Sequence, residues 1–205
     1  MRDLWFSRQP HDRNLSQGES LMYTAQYPTF SQVQEIRKQL RDAEYSHWLH
    51  HDLFSFNFWL LLVVAFAPWW LWFRLRDRSR SFELLYFGLL LGMISTFLDA
   101  LGTNLLLWGY KDQIFGVPPP LFPADVTLMS VPFMLIYEKL PAWKNFTIAV
   151  VLLSALYAFV REQLLECLGI YELTHWKHIY SFPIYIALPC FVRWMTVRLR
   201  SGTAR

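Results

Sequence analysis

Residues 54–73, FSFNFWLLLVVAFAPWWLWF, contain no charged side chain and decide the class of the fold. A helix that crosses the hydrocarbon core of a bilayer needs about 20 predominantly apolar residues. This stretch therefore predicts a transmembrane helix. Only 17% of the whole chain is charged, and a soluble domain usually carries about 25%. The composition excludes intrinsic disorder of the whole chain and indicates an integral membrane protein.

Four further apolar segments each predict another membrane helix. They cover residues 82–108, 125–137, 146–160 and 179–199. The segments are too long and too continuously apolar for the strands of a membrane barrel. The third is short for a span, so a few residues beyond each end would have to join it. The prediction is an all-α membrane bundle of five transmembrane helices.

The chain before the first span is polar and divides into two predicted parts. Residues 1–30 have no helical or strand periodicity and are predicted to be a flexible segment. They lack the apolar core of a signal peptide, so the first span is expected to act as its own insertion signal. Residues 31–53 are predicted to form an amphipathic helix, with Ser31 and Gln34 as a capping box. The transmembrane domain then covers residues 54–199, and residues 200–205 form a C-terminal tail.

Lysine and arginine residues determine the predicted orientation. The loop after the first span carries Arg74, Arg76, Arg78 and Arg80. Together with the third loop and the C-terminus, this end of the bundle is more basic than the other. The positive-inside rule therefore predicts a cytoplasmic C-terminus and an outer N-terminus in a cell membrane. Because the basic residues cluster at span ends, they indicate a lipid bilayer as partner and exclude nucleic acid.

Tryptophan and tyrosine residues stand at the ends of the predicted spans. They include Trp69, Trp108, Tyr110 and Trp176. Such residues are typical of the membrane–water interface, where their amphipathic rings anchor a helix. We therefore interpret them as an interfacial belt.

Asp99 is the clearest candidate functional residue, because a charge within a span is costly unless it is paired. Gly88, Gly92, Ser95, Asp99 and Gly102 recur at helical spacing and form one stripe on the second predicted helix. Small residues in such a stripe allow helices to approach closely. Asp99 is therefore expected to face the interior of the bundle.

Arg161 is the expected partner of Asp99, because both lie at a similar predicted depth in the membrane. Glu162 is adjacent to Arg161 and could compete for it. The two alternatives for Asp99 are a buried carboxylate that only holds helices together and a proton-relay, metal or catalytic group. Asp99, Arg161 and Glu162 are accordingly the candidate catalytic residues. Asp125, after a proline-rich loop, is expected to cap the third helix.

Two histidine groups form a candidate metal site at the outer face. The first is His47-Trp-Leu-His50-His51, in which His47 and His51 are one helical turn apart. The second is His175-Trp-Lys-His178. Imidazole and carboxylate groups bind divalent metals such as zinc or iron, so His47, His51, His175 and His178 are the candidate ligands. The alternative is that these histidines bind lipid headgroups and loop carbonyl groups.

A series of short motifs occurs in a fixed order over residues 31–195. It runs His47-Trp48-x-x-His51, Pro68-Trp69, Asp99-x-x-Gly102, Leu107-Trp108-Gly109-Tyr110, Phe122-Pro123-Ala124-Asp125, Val131-Pro132, Gly169-Ile170-Tyr171 and Trp176-Lys177-His178-x-Tyr180-Ser181-Phe182-Pro183. This order resembles an uncharacterised family of small multi-pass membrane proteins found mainly in spore-forming Gram-positive bacteria. The resemblance implies a membrane location and no established activity. The chain departs from the family in having Glu162-Gln163 where Glu-Pro is expected.

The sequence leaves three functions open. The first is a non-enzymatic membrane protein whose polar outer face binds another membrane protein, a lipid headgroup or a small ligand. The second is a membrane-embedded metal-dependent enzyme that uses the histidine groups. The third is a transporter or channel subunit, although five helices without an inverted repeat argue against a complete transporter.

Overall fold

The fold is all-α. The computed structural model describes residues 27–116 and 123–203. Within these residues, four helices are long and apolar enough to cross a membrane. They are Phe56–Leu75, Arg78–Asn104, Trp143–Cys167 and His178–Arg200. These four helices indicate a membrane-embedded protein.

The described elements follow one another in a simple order. They are α1 (Phe30–His47), α2 (Phe56–Leu75), α3 (Ser81–Asn104), β1 (Trp108–Tyr110), α4 (Val131–Lys139), α5 (Trp143–Leu156), α6 (Glu162–Cys167), β2 (Tyr171–Leu173) and α7 (His178–Thr203). Three π-helical turns, Trp48–Asp52, Pro123–Leu128 and Tyr157–Arg161, accompany them. The last of these turns joins α5 and α6 into one helical segment.

The chain divides into two compact units, Met1–Ala43 and Glu44–Arg205. In the first unit, α1 begins with a capping box at Thr29 and Gln32, not at Ser31 and Gln34 as predicted. The Gln32 N–H donates to the Thr29 hydroxyl over 3.3 Å, and the Thr29 N–H donates to the Gln32 side chain over 2.8 Å. No side chain of α1 is buried. Most of the segment predicted to be flexible, residues 1–26, lies outside the described residues.

Helix α2 confirms the first predicted span. It begins because the Ser55 hydroxyl accepts a hydrogen bond of 3.1 Å from the Phe58 N–H, which caps the helix. It ends at Leu75, within the arginine-rich loop. The stretch 146–160 likewise lies within the longer segment Trp143–Cys167, and 179–199 lies within α7 despite Pro183 and Pro189.

Helix α3 is shorter than the sequence predicts, because it ends at Asn104 and not near Trp108. The side chains of Thr103 and Asn104 bond back to carbonyl groups of the preceding turn, at 3.0 and 2.7 Å. Leu106 then adopts a positive φ of 55°, which reverses the chain. Trp108 consequently lies on a strand and not at the end of a helix.

Strands β1 and β2 form an antiparallel pair at one end of the helices. Trp108 is opposite Leu173, and Tyr110 is opposite Tyr171. The pair joins the segment after α3 to the segment before α7. Neither strand is predicted from the sequence, because each has only three residues.

The third predicted segment, 125–137, forms two pieces instead of one span. The π-helical turn Pro123–Leu128 packs against both α2 and α3, and the nine-residue helix α4 follows it. Polar side chains here bond to neighbouring backbone: Thr127 donates to the Ala65 carbonyl over 3.0 Å, and Ser130 donates to the Gly88 carbonyl over 2.7 Å. These bonds remove the cost of burying two hydroxyl groups in an apolar bundle.

Candidate functional site

A cavity of about 290 Å³ lies within the second unit. Its walls come from α3, the Pro123–Leu128 turn, the segment around Arg161 and α7, and the two strands contribute aromatic rings. Most of the lining is leucine and aromatic, and four ionisable side chains lie among these residues: Asp99, Asp125, Arg161 and Glu162. Apolar walls with a few convergent polar groups are typical of small-ligand sites.

The small-residue stripe of α3 places the Asp99 carboxyl group on the buried face of this helix. Gly88, Gly92, Ser95, Asp99 and Gly102 are all buried, which confirms the predicted interior face. A Cβ atom at Gly88 would overlap the Met134 thioether, and one at Gly102 would overlap the Trp108 ring. The stripe therefore permits both α4 and β1 to lie directly against α3.

Asp99 is held by two side chains of β1. Its Oδ1 atom accepts hydrogen bonds from the Trp108 indole N–H at 2.8 Å and from the Tyr110 hydroxyl at 2.7 Å. Burial, together with the neighbouring carboxylates, holds the pKa of Tyr110 well above its usual value. The Tyr110 hydroxyl therefore remains protonated and donates to Asp99 throughout the physiological range.

Asp125 lies beside Asp99 and does not serve as the predicted helix cap. Its Oδ1 atom accepts a hydrogen bond of 3.0 Å from the Ser95 hydroxyl, so its side chain points toward α3. The Oδ2 atoms of both aspartates are buried and have no hydrogen-bond partner in the described chain. Both residues line the same cavity.

The shared location of the two carboxyl groups has a consequence for protonation. Both are buried at the wall of one cavity, where like charges disfavour the ionisation of both groups. We therefore expect Asp99 and Asp125, called the carboxyl pair below, to hold one proton and to carry a single negative charge.

Arg161 lines the same cavity, but it does not form the predicted ion pair with Asp99. Among the described residues, no salt bridge involves Arg161; its Nη2 atom donates to the Tyr185 hydroxyl over 2.9 Å. The guanidinium also lies over the rings of Tyr157 and Tyr185. Its Nε and Nη1 atoms are buried and have no acceptor in the described part of the protein. Arg161 thus provides two unused donors next to the cavity.

Glu162 belongs to a chain of hydrogen bonds that leads from the cavity toward the surface. The Tyr185 hydroxyl donates to its Oε1 atom over 2.6 Å. Its Oε2 atom contacts His178 Nδ1 at 2.7 Å, and His178 Nε2 contacts Glu166 at 3.1 Å. Glu162 is therefore satisfied on both oxygens and does not compete for Arg161 as an ion-pair partner.

The four candidate metal ligands lie in three different environments. The rings of His47 and His51 stack at 4.8 Å, and His47 Nε2 is 3.5 Å from Asp52. His175 contacts the Leu106 carbonyl at 3.2 Å, whereas His178 contacts Glu162 and Glu166. Among the residues that the structure describes, no group of three or more histidine, cysteine, aspartate or glutamate residues could hold a metal ion.

Several residues of the site are not predicted as site residues from the sequence. Trp108, Tyr110 and Trp176 are interpreted there as membrane anchors, yet all three line the cavity. Tyr171, on β2, also lines it, and burial raises the pKa of its hydroxyl. The sequence does contain a usable signal, because a glycine interrupts the helical periodicity at each strand. Gly109 lies within β1, before Tyr110, and Gly169 lies two residues before Tyr171, where β2 begins.

Comparison of the chain with protein-family models, with curated proteins and with solved structures gives no match. The resemblance to a family of small multi-pass membrane proteins therefore remains a prediction from the order of motifs. The site is accordingly interpreted from its own geometry.

Proposed function

We propose that this protein is a non-enzymatic membrane protein that binds a small, mainly apolar ligand inside its helical bundle. The observation that supports this proposal is the cavity of about 290 Å³, at whose wall buried polar atoms of Asp99, Asp125 and Arg161 have no hydrogen-bond partner among the described residues. Burying a polar group without a hydrogen-bond partner is unfavourable. A ligand with a polar group would offset that cost, and its apolar part would contact the leucine-rich walls.

The rim of the cavity suggests how such a ligand enters. Leu101 on α3 and Leu105, directly after the helix, line the cavity, and 47% and 59% of their respective surfaces are exposed. Leucine side chains exposed on a membrane-length helix face lipid. The proposed route therefore runs from the bilayer, past α3, into the bundle.

The proposed placement in the membrane uses five membrane-embedded segments. The fifth consists of the Pro123–Leu128 turn and α4, which lie between α3 and α5 in the chain. We propose that the arginine-rich end faces the cytoplasm in a cell membrane and that the N-terminus is outside. Helix α1 is proposed to lie on the membrane surface through its exposed apolar residues, which include Phe30, Ile36 and Leu40.

A photoreactive octanol, an octanol that carries a diazirine, tests the binding function. We expect saturable labelling of cavity residues when the purified protein is illuminated in lipid nanodiscs and mapped by mass spectrometry. The substitution Leu98→Trp should abolish this labelling by filling the cavity, because Leu98 lines it. Phe97→Trp is the matched control, since Phe97 is 67% exposed on the same helix. Labelling that is confined to lipid-facing residues in all three proteins would contradict the proposal.

A second candidate function is an enzyme that performs acid–base chemistry in the same cavity. The observation that favours it is the carboxyl pair, whose Oδ2 atoms are buried beside the apolar space without a hydrogen-bond partner in the described chain. Pairs of carboxyl groups that share a proton serve as acid and base in known enzymes. Mass spectrometry of the bound molecule after prolonged incubation distinguishes the two functions. A chemically altered product that Asp125→Asn no longer forms would favour the enzyme.

A further inference from the structure

Four buried atoms of cavity-lining residues have no hydrogen-bond partner among the described residues, and they are of two kinds. Arg161 Nε and Nη1 are donors, and the Oδ2 atoms of Asp99 and Asp125 accept once a donor is available. Asp99 and Asp125 are each only 7% exposed, so bulk water does not solvate them. A ligand group that only accepts hydrogen bonds can satisfy Arg161 but not the carboxyl pair. A group that only donates them can satisfy the carboxyl pair but not Arg161.

The charges of the site restrict the ligand further. With the one proton expected above, the carboxyl pair carries a single negative charge opposite the positive charge of Arg161. Glu162 lines the same cavity, but both of its oxygens already bond to Tyr185 and His178. An anionic ligand would place a second negative charge near the carboxyl pair. An ammonium group would place a second positive charge near Arg161. A neutral polar group leaves this balance unchanged, which matters because charge is poorly screened in an apolar environment.

A hydroxyl group meets both requirements. It is neutral, it donates one hydrogen bond, and it accepts through two lone pairs. It can therefore accept from Arg161 and donate to the carboxyl pair at the same time. A carbonyl or an ether oxygen can only accept, so it would leave the carboxyl pair without a new donor.

We infer that the cavity is a receptor for a long-chain or isoprenoid alcohol, whose hydroxyl group binds between Arg161 and the carboxyl pair and whose hydrocarbon chain contacts the leucine-lined wall. This inference rests on the proposed binding function and names the chemical class of its ligand. The binding residues are Arg161, Asp99 and Asp125, and Trp108 and Tyr110 position Asp99.

Competition against the photoreactive octanol tests the ligand class on the unaltered protein in nanodiscs. The competitors are 1-octanol, methyl octyl ether, octane, octanoate and octylamine. We expect 1-octanol to halve the labelling at a bilayer concentration about tenfold lower than the ether requires, since hydrogen bonds to charged groups are the stronger kind. Octanoate and octylamine should compete less well than the alcohol.

A pair of variants locates the preference at Arg161. Arg161→Leu should weaken labelling by the photoreactive octanol and reduce the preference for 1-octanol over octane about tenfold or more. Arg198→Leu is a control for loss of an arginine elsewhere, because Arg198 is exposed on α7 and does not line the cavity. The competitor series on the unaltered protein decides the ligand class even if an Arg161 variant does not fold.

The outcomes separate this inference from the proposed function. Equal competition by all five compounds would overturn hydroxyl recognition while the cavity remained a binding site. Strongest competition by octanoate would also overturn it, because Arg161 would then bind anions. Failure to label the cavity in the unaltered protein would overturn the binding function itself.

Discussion

Tyr110 donates a hydrogen bond of 2.7 Å to Asp99, and this bond joins strand β1 to a carboxylate within a membrane-length helix. Trp108, on the same strand, donates to the same oxygen. The strand pair and the interior of the bundle are therefore one structural unit. A change at Asp99 is expected to alter both the cover of the cavity and its polar wall.

The carboxyl pair makes a specific prediction about coupling. Asn at either position can replace a protonated carboxyl group, since it is neutral, has a similar shape and can donate a hydrogen bond. Asp99→Asn and Asp125→Asn should each lower the free energy of unfolding by less than about 1 kcal/mol. The double variant should lose about 1–3 kcal/mol more than the sum, because the pair then keeps no negative charge opposite Arg161. Unfolding by SDS titration in mixed micelles measures these values.

The control for this cycle combines Asp99→Asn with Glu172→Gln. Glu172 pairs with Lys111 on the surface, where both side chains are more than half exposed. Its effect should add to that of Asp99→Asn within about 0.5 kcal/mol. Strict additivity of the two aspartate substitutions would show that the carboxyl groups do not share a proton.

The small-residue stripe of α3 makes a second prediction. A Cβ atom at Gly92 would lie 2.8 Å from the Ser130 hydroxyl oxygen, which is fixed by its bond to the Gly88 carbonyl. Gly92→Val should therefore destabilise the bundle by about 1–3 kcal/mol, as is usual for overpacking. Gly109→Val is the control, since no atom lies within 4 Å of a Cβ there. Equal thermal stability of the two variants in detergent would argue against close packing along this stripe.

The burial of Asp99 could be predicted from the sequence because it depends on one helix. Gly88, Gly92, Ser95, Asp99 and Gly102 share a face whatever the neighbouring elements do, and the structure buries all five. The start and end of α2 were also predictable within about two residues, since a long uncharged stretch defines them. These are local properties of the chain.

The partners of Asp99 could not be predicted in the same way. Similar depth in two helices indicates that Asp99 and Arg161 are at the same level, but side-chain contact also depends on how each helix is rotated. Leu106 reverses the chain after α3 and brings Trp108 and Tyr110 to the carboxylate first. Asp125 approaches through a π-helical turn, whose geometry has no periodic signal in the sequence.

Arg193 supports a third prediction. It is only 3% exposed, although it lies in the basic C-terminal part of the chain. Its guanidinium donates to the Leu140 carbonyl over 3.1 Å and to the Pro141 carbonyl, and it lies over the rings of Trp143 and Phe146. It thus joins α7 to the connection between α4 and α5.

Arg193→Lys should lower the free energy of unfolding by about 2 kcal/mol. Lysine retains the charge but lacks the planar fork that reaches two carbonyl groups and stacks on rings. Arg198→Lys, at an exposed position on the same helix, should change stability by less than about 0.5 kcal/mol. A loss no greater than that of the control would show that the charge of Arg193 alone is sufficient.

The last prediction concerns orientation. The loop after α2, the end of α4 and the end of α7 lie at one end of the bundle, because Asp77 bonds to Glu138 and Arg200 bonds to Glu83. The strand pair lies at the opposite end, because β1 follows the end of α3 and β2 precedes the start of α7. Under the positive-inside rule the arginine-rich end is cytoplasmic.

Cysteine labelling tests this orientation in a variant in which Cys167 and Cys190, both free, are replaced by serine. A single cysteine at Thr174 should react with a membrane-impermeant maleimide in intact cells. A cysteine at Ser79 should react only after permeabilisation, which also shows that its thiol is accessible. Both positions are exposed, so a difference in labelling reports the side of the membrane and not burial. The opposite pattern would place the strand pair and His175 in the cytoplasm and reverse the proposed orientation.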